Sequence, residues 1–177
     1  MDTSGDLAVG ILSNGDIDIF QHASGSGQIM TTPLIEAYFD GYDNHGNLFA
    51  DGFNSSDVFE LVELPKGSST FKAIATSNTV EFPGSVQWDG KYLTVTDQQT
   101  NMMYRYSVSG TNASLKGTVS FSGSSDCAQT WIVTRVVYCA DAGNEDVEVF
   151  KYPAGGSAIA TLTGNLDLPL GVVAAEK

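Results

Sequence analysis

The sequence predicts an all-β chain folded as a β-propeller of four four-stranded blades, and three observations carry that prediction. First, one short segment is restated four times, as Asp16-Ile17-Asp18-Ile19-Phe20, Asp57-Val58-Phe59-Glu60-Leu61, Met102-Met103-Tyr104-Arg105-Tyr106 and Asp146-Val147-Glu148-Val149-Phe150. Its last, apolar position recurs as Phe20, Leu61, Tyr106 and Phe150, at separations of 41, 45 and 44 residues, within the period of propeller blades. Second, a Gly- and Ser-rich connection follows every copy. Third, no run of ten or more residues has helical periodicity, and β-branched and aromatic residues dominate the apolar positions. A β-sandwich would also hold many short strands, but it would not repeat strand, turn and loop in register.

Each repeat is read as strands A to D. The chain opens in strand B, residues 7–11. Strand C, residues 16–20, is the repeating segment itself, and after Ser24-Gly25-Ser26-Gly27 comes strand D, residues 28–31. Pro33 then precedes strand A of the next repeat at 37–43, and the turn Asn44-His45-Gly46 leads into strand B at 48–51. Gly and Asn suit such turns because positive φ costs them little. The remaining strands follow in the same order. Strand D lies at 71–75 after Pro65-Lys66-Gly67-Ser68-Ser69, and strand A at 85–89 after Pro83. B at 92–96, D at 115–121, A at 129–133, B at 136–140, D at 158–162 and a last A at 170–174, after Pro169, complete the series. The whole chain, 1–177, reads as one propeller domain with repeats at about 5–46, 46–90, 90–134 and 135–177.

Because the chain opens in strand B and its final predicted strand is an A, these two pieces are complementary parts of one blade. Pairing of the C-terminal strand with the N-terminal strands would close the ring and remove two free edges. The same complementarity satisfied between molecules would instead make this chain the four-repeat half of a larger ring formed by two chains, so monomer and homodimer both stay open.

Composition excludes several classes of function. Eight Lys and Arg against 21 Asp and Glu leave a net charge of −13, which repels nucleic-acid phosphates and anionic lipid surfaces. No apolar run approaches the roughly 20 residues of a membrane span, and the first residues lack the basic and apolar regions of a secretory signal. Cys127 and Cys139 flank a predicted turn near Val133-Thr134. If residue numbers that sum to 266 face each other, the two form a cross-strand disulfide; a register one residue away leaves them as two buried thiols.

The segment Gly46-Asn47-Leu48-Phe49-Ala50-Asp51, a turn and strand ending in Ala-Asp, resembles the repeats of the NHL-type propellers. Val137-Tyr138-Cys139-Ala140-Asp141-Ala142-Gly143-Asn144, with Pro153-Ala154-Gly155-Gly156 and Leu168-Pro169-Leu170-Gly171-Val172, is similar to the repeats of secreted bacterial proteins of that group. The resemblance implies an extracellular or periplasmic binding module. It also implies that six blades are common, where four are read here. Protein-interaction scaffolds belong to the family, and metal-dependent lactonases and an amidating lyase share its fold, so fold kinship alone transfers neither chemistry.

Two sets of residues are candidates for a site. Strand A is expected to line the central channel, which makes Gln87, Trp88, Gln129 and Trp131 the ligand-facing set, with Tyr38, Phe39 and Tyr42 in another repeat. Aromatic and amide groups together suit a protein, peptide or small carbohydrate ligand, although the tryptophans equally suit packing between blades. Asp51, Asp97 and Asp141 recur at the end of strand B, 46 and 44 residues apart. A ring of them would hold a hard cation such as Ca²⁺; acceptance of backbone N–H groups in their own turns would leave no cofactor. His22 and His45 lie in loops, and no Ser-His-Asp set, zinc motif or other catalytic constellation is read. A metal-dependent hydrolase or lactonase, drawing on Asp97, Asp141, Asn101 and Asn144, is the rival to a non-enzymatic binding module.

Overall fold

A computed structural model describes residues 4–175 as a succession of small antiparallel sheets. The first holds β1 (Leu7–Gly10), β2 (Ile17–Phe20) and β3 (Gln28–Met30), with a 3₁₀ turn over Gln21–Ala23. The second is β4 (Leu34–Tyr42), β5 (Leu48–Asn54), β6 (Phe59–Leu64) and β7 (Lys72–Thr76), and the third is β8 (Pro83–Trp88), β9 (Leu93–Asp97), β10 (Met102–Ser109) and β11 (Asn112–Ser122). The fourth comprises β12 (Cys127–Val133), β13 (Val136–Asp141), β14 (Asp146–Lys151) and β16 (Ala160–Leu162), while the two-residue β15 (Gly156–Ser157) runs parallel to β11. Short parallel pairing of Asn112 and Ala113 with Ala75 and Thr76 links the outer strands of the second and third sheets.

The strand C pattern places these sheets as blades. Left-handed φ recurs at Gly15, Asp57, Asn101 and Glu145, immediately before or at the start of each strand C, and at Gly46, Gly90 and Thr134 between strands A and B. Successive side chains of a strand point to opposite faces of its sheet, so each blade has one face for each neighbour. In β5, Leu48 and Ala50 join Ala8, Ile17 and Met30 of the first blade, whereas Phe49 joins Val86, Val95 and Tyr106 of the third. Between the third and fourth blades Met103, Val119 and Phe121 pack on Val137, Cys139 and Phe150. Three apolar cores, one per blade interface, thus hold the structure together.

Strand B of the first blade, β1, and the A strands β4, β8 and β12 lie against one another in that order. At Gly41 the backbones of β4 and β8 come so close that a Cβ would lie 2.5 Å from the Val86 carbonyl oxygen, which is why this position has no side chain. Residues 170–174, expected as the strand that closes the ring beside β1, join no ladder. They lie instead along β12, where Gln129 Oε1 accepts from the Val172 N–H and Trp131 Nε1 donates to the Ala174 carbonyl at 2.9 Å.

The sulfurs of Cys127 and Cys139 are bonded, but by a different register from the one expected. Val133 faces Val136, and a bulge between Cys127 and Gln129 sets Cys127 opposite Asp141 and Cys139 opposite Thr130. The bridge therefore runs diagonally across β12 and β13.

Thr134 is the strained member of its turn series. It has φ of 51°, where the equivalent residues are Gly46 and Gly90, and a β-branched side chain disfavours that conformation by roughly 1–2 kcal/mol. Thr134→Gly is expected to raise the melting temperature by about 2–4 °C, and Gly90→Thr to lower it by at least as much, in matched thermal denaturation curves.

Candidate functional site

The candidate axial set separates once the strands are built. Side chains stand perpendicular to a sheet, so strand A presents its backbone edge to the axis and its side chains to the adjacent blades. Ser85 and Gln87 project from β8 toward β12: Ser85 Oγ donates to the Thr130 carbonyl at 3.0 Å, and Gln87 Oε1 accepts from the Ile132 N–H at 3.0 Å. Gln129 and Trp131 hold residues 172 and 174 in the same manner. Between these chains lies a gap of only about 70 Å³, lined by Asp40, Gln87, Gln129 and Trp131 among others. Trp88 points the opposite way, into the core between the second and third blades.

The recurrent aspartates are turned toward backbone donors. Asp97 accepts from the N–H groups of Glu81, Phe82, Gln99 and Thr100 at 3.0 to 3.4 Å. Asp141 repeats this one period later, accepting from Ser125, Asp126, Gly143 and Asn144 at 2.8 to 3.0 Å. Each carboxylate ties the segment entering its blade to the turn between strands B and C. Asp51 differs: it accepts from Phe39 in its own blade and from Gly84 in the next, at 3.1 and 3.2 Å. Asp141, Glu148 and Cys139 do bring one potential donor atom each to within 4.8 Å of one another. The Cys139 sulfur is spent in the disulfide, Asp141 on amides and Glu148 on the Ser124 hydroxyl, so the cluster is a satisfied buried network.

A different region has unspent polar capacity. At the end of the molecule that carries the A-to-B turns, a groove of about 240 Å³ opens between the second and third blades, lined by Asp43, Phe49, Glu63, Lys72, Trp88 and Lys91 among others. Most of its polar groups are already engaged. Asp43 accepts from the His45 and Asn47 N–H groups and from Asn47 Nδ2 at 2.8 to 2.9 Å, and Glu63 pairs with Lys72 Nζ at 2.9 Å. Trp88 is the exception, because its Nε1 is buried and has no hydrogen-bond partner. A buried N–H left without an acceptor costs on the order of 1–3 kcal/mol. Lys91 Nζ lies 5.0 Å from the Tyr92 ring and enters no ion pair among the described residues.

The corresponding end of the next interface is filled by the protein itself. Arg105 donates to Asp89 at 2.7 and 2.9 Å and to the Tyr152 hydroxyl at 2.9 Å, and Tyr152 also donates to Asp89. Burial pushes the Asp89 carboxyl up, but the hydrogen bonds from Tyr152, the Tyr92 and Lys91 N–H groups and Arg105 outweigh it and hold the group below its ordinary value. Apart from Trp88, a candidate ligand-facing residue that lies in the groove, neither this bridge nor the groove was singled out by the repeat pattern. Their residues sit at turn and strand-end positions where the four copies diverge, and divergence alone gave no sign of which side chains would meet.

No protein-family model matches the sequence, and no curated protein is similar to it. Solved structures do match. The chain is similar to a structure of hydrazine synthase from Kuenenia stuttgartiensis at 11% identity and a TM-score of 0.68, covering 92% of this chain and 47% of that one. It is similar to a chain of a nidogen–laminin complex at 12% identity and a TM-score of 0.68, covering 90% and 59%. It is also similar to BamB from Moraxella catarrhalis at 11% identity and a TM-score of 0.54, covering 87% and 44%. At these identities the likeness establishes the β-propeller fold alone, and the chain spans about half the length of the structures it matches.

Asp51 gives the stability a definite pH dependence. Burial drives its carboxyl well above the ordinary value, against the pull of the Phe39 and Gly84 N–H groups, with the Asp40 charge adding to the rise. The folded state therefore binds this proton more tightly than the unfolded chain does. Its contribution is complete below about pH 4 and is lost as pH rises through the folded-state pKa. Melting temperature is expected to fall from mildly acidic to neutral pH, and Asp51→Asn to flatten that fall; an unchanged slope in the variant would remove Asp51 as its cause.

Proposed function

We propose that this chain is a non-enzymatic binding or protein-interaction module built on an NHL-like propeller, and that it takes its ligand in the groove between the second and third blades. One observation carries the reading. The Trp88 indole N–H lies at a groove of about 240 Å³ with no acceptor from the chain, so an acceptor carried by a ligand would satisfy it. Phe49 supplies an apolar wall, and two carboxylates facing two ammonium groups leave the groove close to neutral in a chain of net charge −13. These properties suit an uncharged acceptor-rich group, such as a peptide carbonyl or a sugar hydroxyl, on a protein, peptide or small carbohydrate. They disfavour nucleic acid and anionic membrane. Nidogen, one of the matched propellers, was solved in complex with laminin, which accords with a role in protein recognition. The disulfide between Cys127 and Cys139 supports an extracellular or periplasmic location, where such bonds persist.

The hydrolase alternative is weaker because it needs carboxylates with lone pairs directed at a common cation, and Asp97 and Asp141 are committed to amides. Ca²⁺ has no structural duty in this reading. EDTA is accordingly expected to leave the melting temperature unchanged, whereas a drop reversed by added Ca²⁺ would favour the metal site.

The chain has two tryptophans, so a ¹H–¹⁵N spectrum resolves the two indole groups separately. Titration with glucose, galactose, N-acetylglucosamine and capped tripeptides is expected to move the Trp88 resonance saturably and leave Trp131 in place. Trp88→Phe, which keeps the packing and deletes the donor, should weaken that binding about tenfold. A Trp88 resonance unmoved by every probe up to about 50 mM would defeat the assignment of the groove.

A further inference from the structure

Charge is divided between the two ends of the molecule. Every Lys and Arg among the described residues lies in or reaches the end with the A-to-B turns, except Lys116, midway along β11. The ion pairs His45–Asp43, Lys72–Glu63 and Arg105–Asp89 are all there. At the opposite end the B-to-C turns and the connections from strand D to the next strand A hold Asp57, Glu81, Asp126 and Glu145, with Asp146 at the start of β14, and no basic residue. None of these carboxylates enters an ion pair among the described residues. Asp146 is 8% exposed, and its Oδ1 is buried without a hydrogen-bond partner. Burial, with the Asp141 charge adding to it, pushes the Asp126 and Asp146 carboxyls up, and no cation pulls either back.

This end also has a recess. A cavity of about 330 Å³ opens between the third and fourth blades, lined by Phe82, Gln98, Gln99, Ser125 and Asp126. Phe82 is its apolar wall, met edge-on by the rings of Tyr38 and Phe53 at 5.4 Å between centroids. The polar walls are rich in acceptors. Gln98 donates from Nε2 to the Pro83 carbonyl, which leaves its Oε1 to accept. Asp126 gives its N–H to Asp141 and accepts the Ala142 N–H on its carbonyl, so its backbone is satisfied while its carboxylate is spare. An acidic face that only solvated the protein would need neither a recess nor an aromatic wall. We propose that the recess receives an arginine side chain from a basic segment of a protein partner. A guanidinium has five donors and no acceptor, is weakly hydrated and stacks on aromatic rings, which matches a wall of ring, carboxylate and amide oxygen. Further basic residues of the same segment meet Glu81, exposed beside Phe82, and Glu145. The net charge of −13 draws such a partner in and repels anionic competitors. The Trp88 groove lies at the other end, so the two sites act independently.

Titration of the full ¹⁵N-labelled chain with capped hexaarginine tests this. Saturable shifts are expected for the Gln99, Ser125 and Asp126 N–H groups and the Gln98 side-chain amide, half-complete at about 100 μM, with the Trp88 indole unmoved. Affinity should fall about tenfold between roughly 0.05 and 0.5 M NaCl, and capped hexaglutamate should shift nothing at that end. Glu81→Gln with Asp126→Asn deletes two charges that form no ion pair in the chain. The variant should keep its near-ultraviolet circular dichroism and bind hexaarginine about tenfold more weakly. Shifts scattered over the whole surface, or an affinity unchanged in the folded variant, would overturn the proposal. So would displacement of the peptide by about 1 mM CaCl₂ at constant ionic strength, which would assign the acidic end to a metal ion.

Discussion

A four-stranded blade has two apolar faces, and water is kept from both only when another sheet lies against each. Everything else in this molecule follows from that constraint. It explains why the chain repeats, because one blade cannot bury itself, and why apolar residues occupy both alternations of β5: Leu48 and Ala50 serve one interface and Phe49 the other. It also explains why stability is spread over three separate cores. A loss at any one interface exposes two sheets at once.

Stacked sheets need fixed spacing, and buried carboxylates provide it. Asp97 and Asp141 each bring two segments of chain together through four backbone N–H groups, at positions one repeat apart. An ionised carboxylate in a dry interior is expensive unless its lone pairs are filled, and amides fill them without a counter-ion. Asp51 accepts from fewer such donors, and burial, with the Asp40 charge adding to it, drives its carboxyl well above the ordinary value. The same residue type at the same repeat position thus has different hydrogen-bond partners in different blades, set by how many amides the local loop turns toward it.

Much of the architecture was legible because it is written in period and turn chemistry. The strand C segments, the Gly-rich connections and the A-to-B turns are all local signals, and the strands lie where those signals put them. The diagonal disulfide was not legible in its geometry, since the turn is made by Thr134-Arg135, which sets Val133 opposite Val136, and the bulge between Cys127 and Gln129 then shifts the register again. The surroundings of the axial set were hidden for a simpler reason. Periodicity identifies strand A, but a strand turns only its edge to the axis, so Gln87 and Gln129 reach across to the neighbouring strand instead of into a channel. The fate of residues 170–174 was hidden because their pattern specifies a strand A without specifying which edge receives it.

In a repeat protein the shared features describe the scaffold, and function has to be sought where the copies disagree. The turn-side ends of the interfaces are such a place. Between the third and fourth blades Arg105, Asp89 and Tyr152 fill the space, and the Arg105 guanidinium also lies 4.9 Å from the Tyr92 ring centre. Between the second and third, Glu63 and Lys72 pair along the wall and leave the centre open, with the Trp88 N–H unanswered beneath it. The Trp88 N–H left without an acceptor costs the molecule a buried hydrogen bond, and an acceptor on an incoming molecule would restore it.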